Sequence, residues 1–559
     1  MSKIESSPKL GTLSADCVRN FTVHFRRPYE IGRPSDRYHG EFGFDWVRDE
    51  YIYPLLNIEG KKDTVLIVPN YSSLYKVMYS NMDSTYHLKD NFSYFPSWLY
   101  FFASNYKGIY GSEEINKDGV CLDIEIHQQF TDKNDQGLID EKEPLTDNGT
   151  ILKFQASSKF ITLSTFNNNQ NAQTVFENEN SIEYKPLCEP LSSFINTKRE
   201  FKKLDAREDI TTVNGETVKK IVETNRYSYK KNNAITIRCS GAVLKKNEYI
   251  KVIASRNGCP DKEVGVIYIG QNSAISVISM VEVDVKVKGE ILEKPKNYEW
   301  ELKNRYFNQS LMVFKVVKRE LFDLDLLSKT DPEVRSFVKK WWEDEIKSKY
   351  GIKYLENITG ENEIKENNLK RKKKFNLTEA IYTEFIRELK ELYWRKMWVE
   401  LRSPYSDLER RTFIFFTPIR MRAVPPENRN DNWGGISGSA SFKAYPSLNY
   451  FKGELSSQDE FDNAIVFFKD GVEQGFLETY AHELGHALGL THIFEYGELF
   501  ESYQGYTDNL MDYDYTTSNA ISKFKNRVNI LSKYQIDNIR LNQRITGILW
   551  IWVGKEANY

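Results

Sequence analysis

Residues 482–492 read His-Glu-Leu-Gly-His-Ala-Leu-Gly-Leu-Thr-His, and the spacing of their three histidines decides how the C-terminal part of the chain is read. On an α-helix, residues four apart lie about 40° apart around the axis and about 6 Å along it. His482 and His486 therefore present two imidazoles on one face, at a separation that a tetrahedral Zn²⁺ bridges. Glu483 sits about 100° round from His482. Its carboxylate stands beside a metal there without binding it, placed to take a proton from water. Gly489 suits a positive-φ helix end, and the sharp turn it permits brings His492 back as a third ligand. Three neutral imidazoles leave a fourth position open, the mark of a catalytic rather than a structural zinc site. Three of the seven histidines of the chain fall in this stretch, whereas His24, His39, His87 and His127 all precede residue 130. Incidental surface or core histidines are the weaker reading.

The stretch HELGHALGLTH matches the pattern HExxHxxGxxH, and in this the chain resembles the metzincin zinc endopeptidases. Asn509-Leu510-Met511-Asp512-Tyr513 is similar to the Met-turn of that family, a tight turn that sets a methionine beneath the zinc site. Together the two stretches most resemble the pappalysin-like branch. The resemblance covers roughly residues 400–559 and implies a zinc-dependent endopeptidase. It implies that His482, His486 and His492 are ligands, that Glu483 is the general base and that Met511 is the Met-turn methionine. It also places Tyr513 where several branches keep a tyrosine near the metal, to stabilise the oxyanion or act as a movable ligand. An ordinary packing role for Tyr513 stays open. Gly434–Ala440 reads either as an edge strand along which an extended peptide pairs or as a surface loop.

Outward from this site, a helix is expected over about 472–488, with β-branched or aromatic strands at Thr412–Phe416 and Ala464–Phe468. A second helix is expected over about 377–401, with Ile381, Phe385, Leu389, Leu392 and Met397 on one side. Thr330-Asp331-Pro332-Glu333 reads as a capping box that opens a third helix. The basic run Lys370–Lys374 reads as a solvated linker. Further upstream the period becomes two. Ala234–Cys239, Tyr249–Ala254, Val264–Ile269 and Ala274–Val287 read as strands of a small immunoglobulin-like sandwich. Cys121–Ile126 and Ile151–Thr165, the latter broken at Ser157-Ser158, mark the first two hundred residues as β-rich. The expected fold class is multidomain α+β, with four parts. They are a β-rich N-terminal domain (1–200), a sandwich-like domain (201–300), a helical connector with a charged linker (301–375) and a metzincin-like α/β zinc protease domain (376–559).

A length of 559 residues, at about 150 per domain, agrees with three or four domains. A chain that is 40% hydrophobic and 28% charged has enough apolar material to bury, which excludes global disorder. Lys and Arg total 77 against 79 Asp and Glu, so no basic excess points to nucleic acid. No apolar run approaches the ~18–20 residues of a membrane span. The opening residues MSKIESSPKLGTLSADC lack an apolar segment, so no Sec signal peptide is expected. The expected alternatives are a leaderless route that uses an export machinery, or the cytoplasm. Five cysteines without a CxxC pair argue against a disulfide framework. Arg256-Asn257-Gly258-Cys259-Pro260-Asp261 reads as a β-turn in preference to a thiolate switch that blocks zinc through Cys259.

Asp132, Asn134, Asp140 and Glu143 stand at four oxygen-ligand positions of an EF-hand-like loop, with Gly137 at its turn. The segment is either a Ca²⁺ loop or an acidic surface hairpin, and the hairpin is the stronger reading because Pro144 follows at once. Gly40-Glu41-Phe42-Gly43-Phe44-Asp45-Trp46-Val47-Arg48 is read as packing. The function expected overall is hydrolysis of peptide bonds in protein or peptide substrates by zinc-activated water. The β-rich modules would serve targeting or binding, as in an exported effector or toxin. The competing class is an adhesin-like or secretion-apparatus binding protein whose metzincin domain is vestigial.

Overall fold

The β-branched and aromatic runs between residues 120 and 286 form strands where their alternation places them. The computed structural model describes residues 21–28, 38, 40–46, 94–104, 118–131, 144–165, 175–178, 181–184, 186–196, 200–213, 216–240, 243–343, 384–397, 411–419, 438–440, 448–449, 454–455, 464–469, 477–493, 509–512, 530–541 and 546–550. Strand outweighs helix among them. The chain divides into two units, Met1–Tyr38 with Phe44–Tyr106 and Glu113–Gln271, and His39–Gly43 with Lys107–Ser112 and Asn272–Tyr559.

In the first unit, one antiparallel sheet runs in the order Thr22–Arg26, Val120–Thr131, Glu216–Cys239, Glu200–Val213, with Ile161–Ser164 also on Glu216–Cys239. A second sheet includes Ser97–Tyr100, Lys262–Ile269, Glu248–Ser255, Ile151–Ala156 and Leu187–Pro190 in that order. Val23, Phe25, Ile124 and Ile126 alternate with polar neighbours and are fully buried, as one face of a half-buried sheet requires. The buried hydroxyl of Tyr94 ties the sheets together. It donates to the Val23 carbonyl (2.8 Å) and accepts from the Val266 amide (3.0 Å). The expected turn at 256–259 is present, with the Cys259 amide donating to the Arg256 carbonyl over 3.0 Å. Cys259 itself is disulfide-bonded, while Cys121, Cys188 and Cys239 are in no disulfide, so the described residues carry no disulfide framework. A sulfur held in a disulfide is no thiolate, so a switch through Cys259 is also ruled out.

The second unit is built on a mixed sheet of β1 (Ala274–Lys286), β2 (Met312–Asp323), β3 (Thr412–Thr417), β4 (Gly438–Ala440), β5 (Ala464–Phe468) and β6 (Thr546–Trp550), ordered β2-β1-β3-β5-β4. β1 is parallel to β2 and β3, and β3 to β5, while β4 is antiparallel to β5 and β6 to β1. Every residue of β3 and β5 is buried, as in strands covered on both faces. Val281, Val283, Phe413, Phe415, Val466 and Phe468 share one core with α1 (Pro332–Val338) and with α2, a helix over 384–397. The other face carries Phe416 and Phe467, which meet Tyr480 of α3 (Leu477–Ala487) at ring-centroid distances of 6.3 and 3.9 Å.

This division differs from the expected boundaries. The expected boundary at 300 separates β1 from β2, yet both belong to the second unit. Local strand spacing identifies a strand without identifying its partner, and the partner of β1 on the β3 side lies beyond residue 400. The second unit also includes His39–Gly43, where a Cβ on Gly43 would stand 2.1 Å from the Gln309 carbonyl oxygen. That glycine allows a close backbone approach, so part of the 40–48 stretch has the packing role expected of it. No helix among the described residues is long and apolar enough to cross a membrane. The run Lys370–Lys374 lies outside the described residues.

α1 is capped by Asp331 rather than by Thr330. The Asp331 carboxylate accepts from the amides of Glu333 (2.9 Å) and Val334 (3.3 Å), and Pro332 takes the first helical position. Lys396 lies 2.6 Å from Asp331 and 2.8 Å from Glu333, and its hydrogen bond holds both carboxyls below their ordinary values. A carboxyl with a lowered folded-state pKa stabilises the fold above the unfolded value, about pH 4, and ceases to do so as pH falls through the lowered one. Asp331→Asn keeps a capping oxygen and removes the charge pair. Thermal unfolding of that variant is expected to depend less steeply on pH below about 4; an unchanged acid limb would reject this account.

Candidate metal centre

α3 carries His482 and His486 on one face, and its end brings in the third histidine. Gly489 adopts φ +93°, the left-handed conformation expected of it. The Leu490 amide donates to the Gly485 carbonyl (3.0 Å) and the Gly489 amide to the His486 carbonyl (2.8 Å), the paired bonds of a Schellman motif. The chain then reverses, and His492 returns over the helix. Its Nε2 lies 3.1 Å from Nε2 of His482 and 3.1 Å from Nε2 of His486. Three imidazole nitrogens on a tetrahedral zinc would stand roughly 3.3 Å apart.

The other ring nitrogens settle which atoms face inward. His482 Nδ1 lies 2.7 Å from the Leu510 carbonyl oxygen, and His486 Nδ1 lies 2.7 Å from that of Leu490. A carbonyl only accepts, so each Nδ1 carries the proton and each Nε2 presents a lone pair. Both lone pairs point at His492 Nε2, which has at most one proton to share. Three converging nitrogens could hold one cation, and the residues present fit zinc. Burial, followed by the neighbouring His492 ring, pushes His482 down to about 3. Burial and then the two neighbouring rings hold His486 well below the ordinary histidine value. Both shifts favour the neutral ring, the form that binds a metal.

Met511 is fully buried in the turn Asn509–Asp512, which is closed by the Asp512 amide donating to the Asn509 carbonyl over 3.0 Å. Its sulfur lies against Gly485, between the two helical histidines. A Cβ on Gly485 would stand 2.6 Å from Met511 Sδ. Gly485→Ala gains up to about 1 kcal/mol of helix propensity. Overpacking against a buried turn costs about 1–3 kcal/mol, so the variant is expected to be less stable. Denaturant unfolding measures this, and a midpoint equal to or above wild type would count against the packing of Met511.

Glu483 is half-buried on α3, one residue beyond His482. β4, the described part of the glycine- and serine-rich 434–440 stretch, is the last strand of its sheet and pairs Gly438, Ser439 and Ala440 with Phe467, Val466 and Ile465. Tyr513 lies outside the described residues, as do Asp132, Asn134, Asp140 and Glu143 of the expected Ca²⁺ loop.

Several contacts around the site are not legible in the sequence. Tyr306 donates its buried hydroxyl to Glu478 in the first turn of α3, and burial above all raises its phenol pKa. Asn509 shapes the Met511 turn by accepting from the Met511 amide over 2.9 Å. Gln535 of α4 (Lys533–Leu541) pairs with Asn509 and closes a capping box with Ser532. Ser532-Lys533-Tyr534-Gln535 is a legible capping signal, whereas nothing in the sequence marks Asn509 as its partner. The chain matches no protein-family model, and no curated protein matches it.

Proposed function

We propose that the chain is a zinc-dependent endopeptidase of the metzincin type, with His482, His486 and His492 as ligands and Glu483 as general base. The observation that carries this reading is the convergence of three Nε2 atoms, two of them fixed as lone-pair donors by backbone carbonyls. A zinc ion bound there would supply Lewis-acid activation of water and of the scissile carbonyl. Glu483 would take the proton of the attacking water and deliver it to the leaving amine. Tyr513, two residues beyond Met511, would stabilise the oxyanion. β4, at the end of its sheet and antiparallel to β5, offers a template for an extended peptide. The metzincin-like α/β domain would then be the second unit, and the strand-rich first unit would serve substrate binding or targeting.

The disulfide at Cys259 favours an oxidising compartment and so an exported protein. A binding protein with a vestigial site would have no use for the helix end and the turn that aim these histidines. The test is elemental analysis of protein purified without chelator, together with cleavage of an unfolded protein substrate. About one zinc per chain and hydrolysis abolished by a zinc chelator are expected. A chain that takes up no zinc when zinc is supplied would refute the reading.

A further inference from the structure

His482 is aimed by the Leu510 carbonyl, and that carbonyl depends on supports from elsewhere in the second unit. The Leu510 amide donates to the Ile530 carbonyl over 2.8 Å, just ahead of α4. Next to it, the side-chain amides of Asn509 and Gln535 pair in both directions. Asn509 Nδ2 donates to Gln535 Oε1 (2.7 Å), and Gln535 Nε2 donates to Asn509 Oδ1 (2.9 Å). Gln535 is 4% exposed and Asn509 7%, so this pair is sheltered from water.

Each oxygen of the pair also holds backbone. Asn509 Oδ1 accepts from the Met511 amide inside the turn, and Gln535 Oε1 accepts from the Ser532 amide at the head of α4 (2.9 Å). The Leu531 amide of the same segment donates over 3.2 Å to Oε1 of Gln309, a fully buried residue. Hydrocarbon side chains of equal volume would fill the space without fixing the register of the turn on α4. Removing one amide leaves the donors and acceptors of the other buried and unsatisfied.

We propose that Asn509 and Gln535 are positioning residues for the metal centre: their amide pair fixes the Leu510 carbonyl, and through it the tautomer and aim of the His482 ring. The proposal rests on the zinc-site reading above. His486 takes its aim from Leu490, inside the helix end itself, so loss of the pair falls first on His482 and reaches His492 only through the Ile493 amide, which donates to the Met511 carbonyl over 3.4 Å. Outer-shell partners of histidine ligands set metal affinity in this manner, at about 10–100-fold each.

The test uses the full chain and two readouts, zinc affinity by chelator competition and the visible spectrum of the cobalt(II)-loaded protein. Gln535→Met is expected to weaken zinc about tenfold or more and to change the cobalt spectrum. Asn509→Leu is expected to do the same, and the double variant no worse than Asn509→Leu, because both remove one pair. Leu389→Ala, in the core formed with α2, is the control for stability: it should lower the melting temperature without moving either readout. If Gln535→Met fails to fold, Gln535→Glu keeps the oxygen that caps α4 and lacks the donor to Asn509, and it should still weaken zinc. A folded Gln535 variant within twofold of wild-type affinity, with an unchanged cobalt spectrum, would overturn the proposal. A wild-type chain that takes up neither metal would instead remove the site itself, and this proposal with it.

Discussion

Glu483→Ala is expected to abolish peptide hydrolysis while leaving about one zinc per chain. The two halves of that expectation have different origins. Zinc retention follows from the nitrogen donor set, which lies wholly on His482, His486 and His492 and is aimed by the Leu510 and Leu490 carbonyls. None of those atoms belongs to Glu483. Loss of turnover follows from proton transfer, since the same carboxylate would accept a proton from water and then release it to the leaving amine. General acid–base catalysis contributes about 10²–10⁴-fold, and a group that acts in both steps should reach the upper end. Metal content by elemental analysis and cleavage of an unfolded substrate separate the two effects. Wild-type turnover in a zinc-loaded variant would remove Glu483 from the mechanism.

His486→Ala should have the opposite signature, with metal and activity lost together. The ring is half-buried, its Nδ1 proton is engaged by Leu490, and its Nε2 lies 3.1 Å from that of His492. Truncation removes one of three donors, and no backbone movement within the helix restores it. Zinc affinity should fall by more than the roughly 10–100-fold that loss of an outer-shell partner costs. Stoichiometry after dialysis against a weak chelator is the measurement. A variant that kept its zinc and its activity would show that the ion is held elsewhere in the chain.

The histidine cluster was legible because its information is local. Two histidines four apart, a glycine at the helix end and a third histidine three residues later specify a geometry that the backbone then adopts. Strand positions were legible for the same reason: Ala464–Phe468 forms within the bounds read from its composition, and Ile151–Ala156 and Ile161–Ser164 flank the expected break. Assembly was not. Nothing in Ala274–Lys286 says that its neighbours are Met312–Asp323 and Thr412–Thr417 rather than the strands just before it. An apolar run buried on both faces looks alike in a sandwich and in a layered α/β unit. The disulfide at Cys259 escaped because cysteine arithmetic counts residues without seeing which sulfurs meet. The Asn509–Gln535 pair joins two turns distant in sequence, and amides carry no mark of their partner.

The strand β6 has a bearing on biosynthesis. It pairs Trp550 with Ala274 and Thr546 with Ile278, so the first strand of the second unit waits for residues made some 270 positions later. Contacts of such long sequence separation slow folding and expose unpaired strand edges in the interim. A nascent chain that already carries α3 would still lack this strand of the sheet that backs it. The sheet behind the histidine cluster would thus be completed only late in translation.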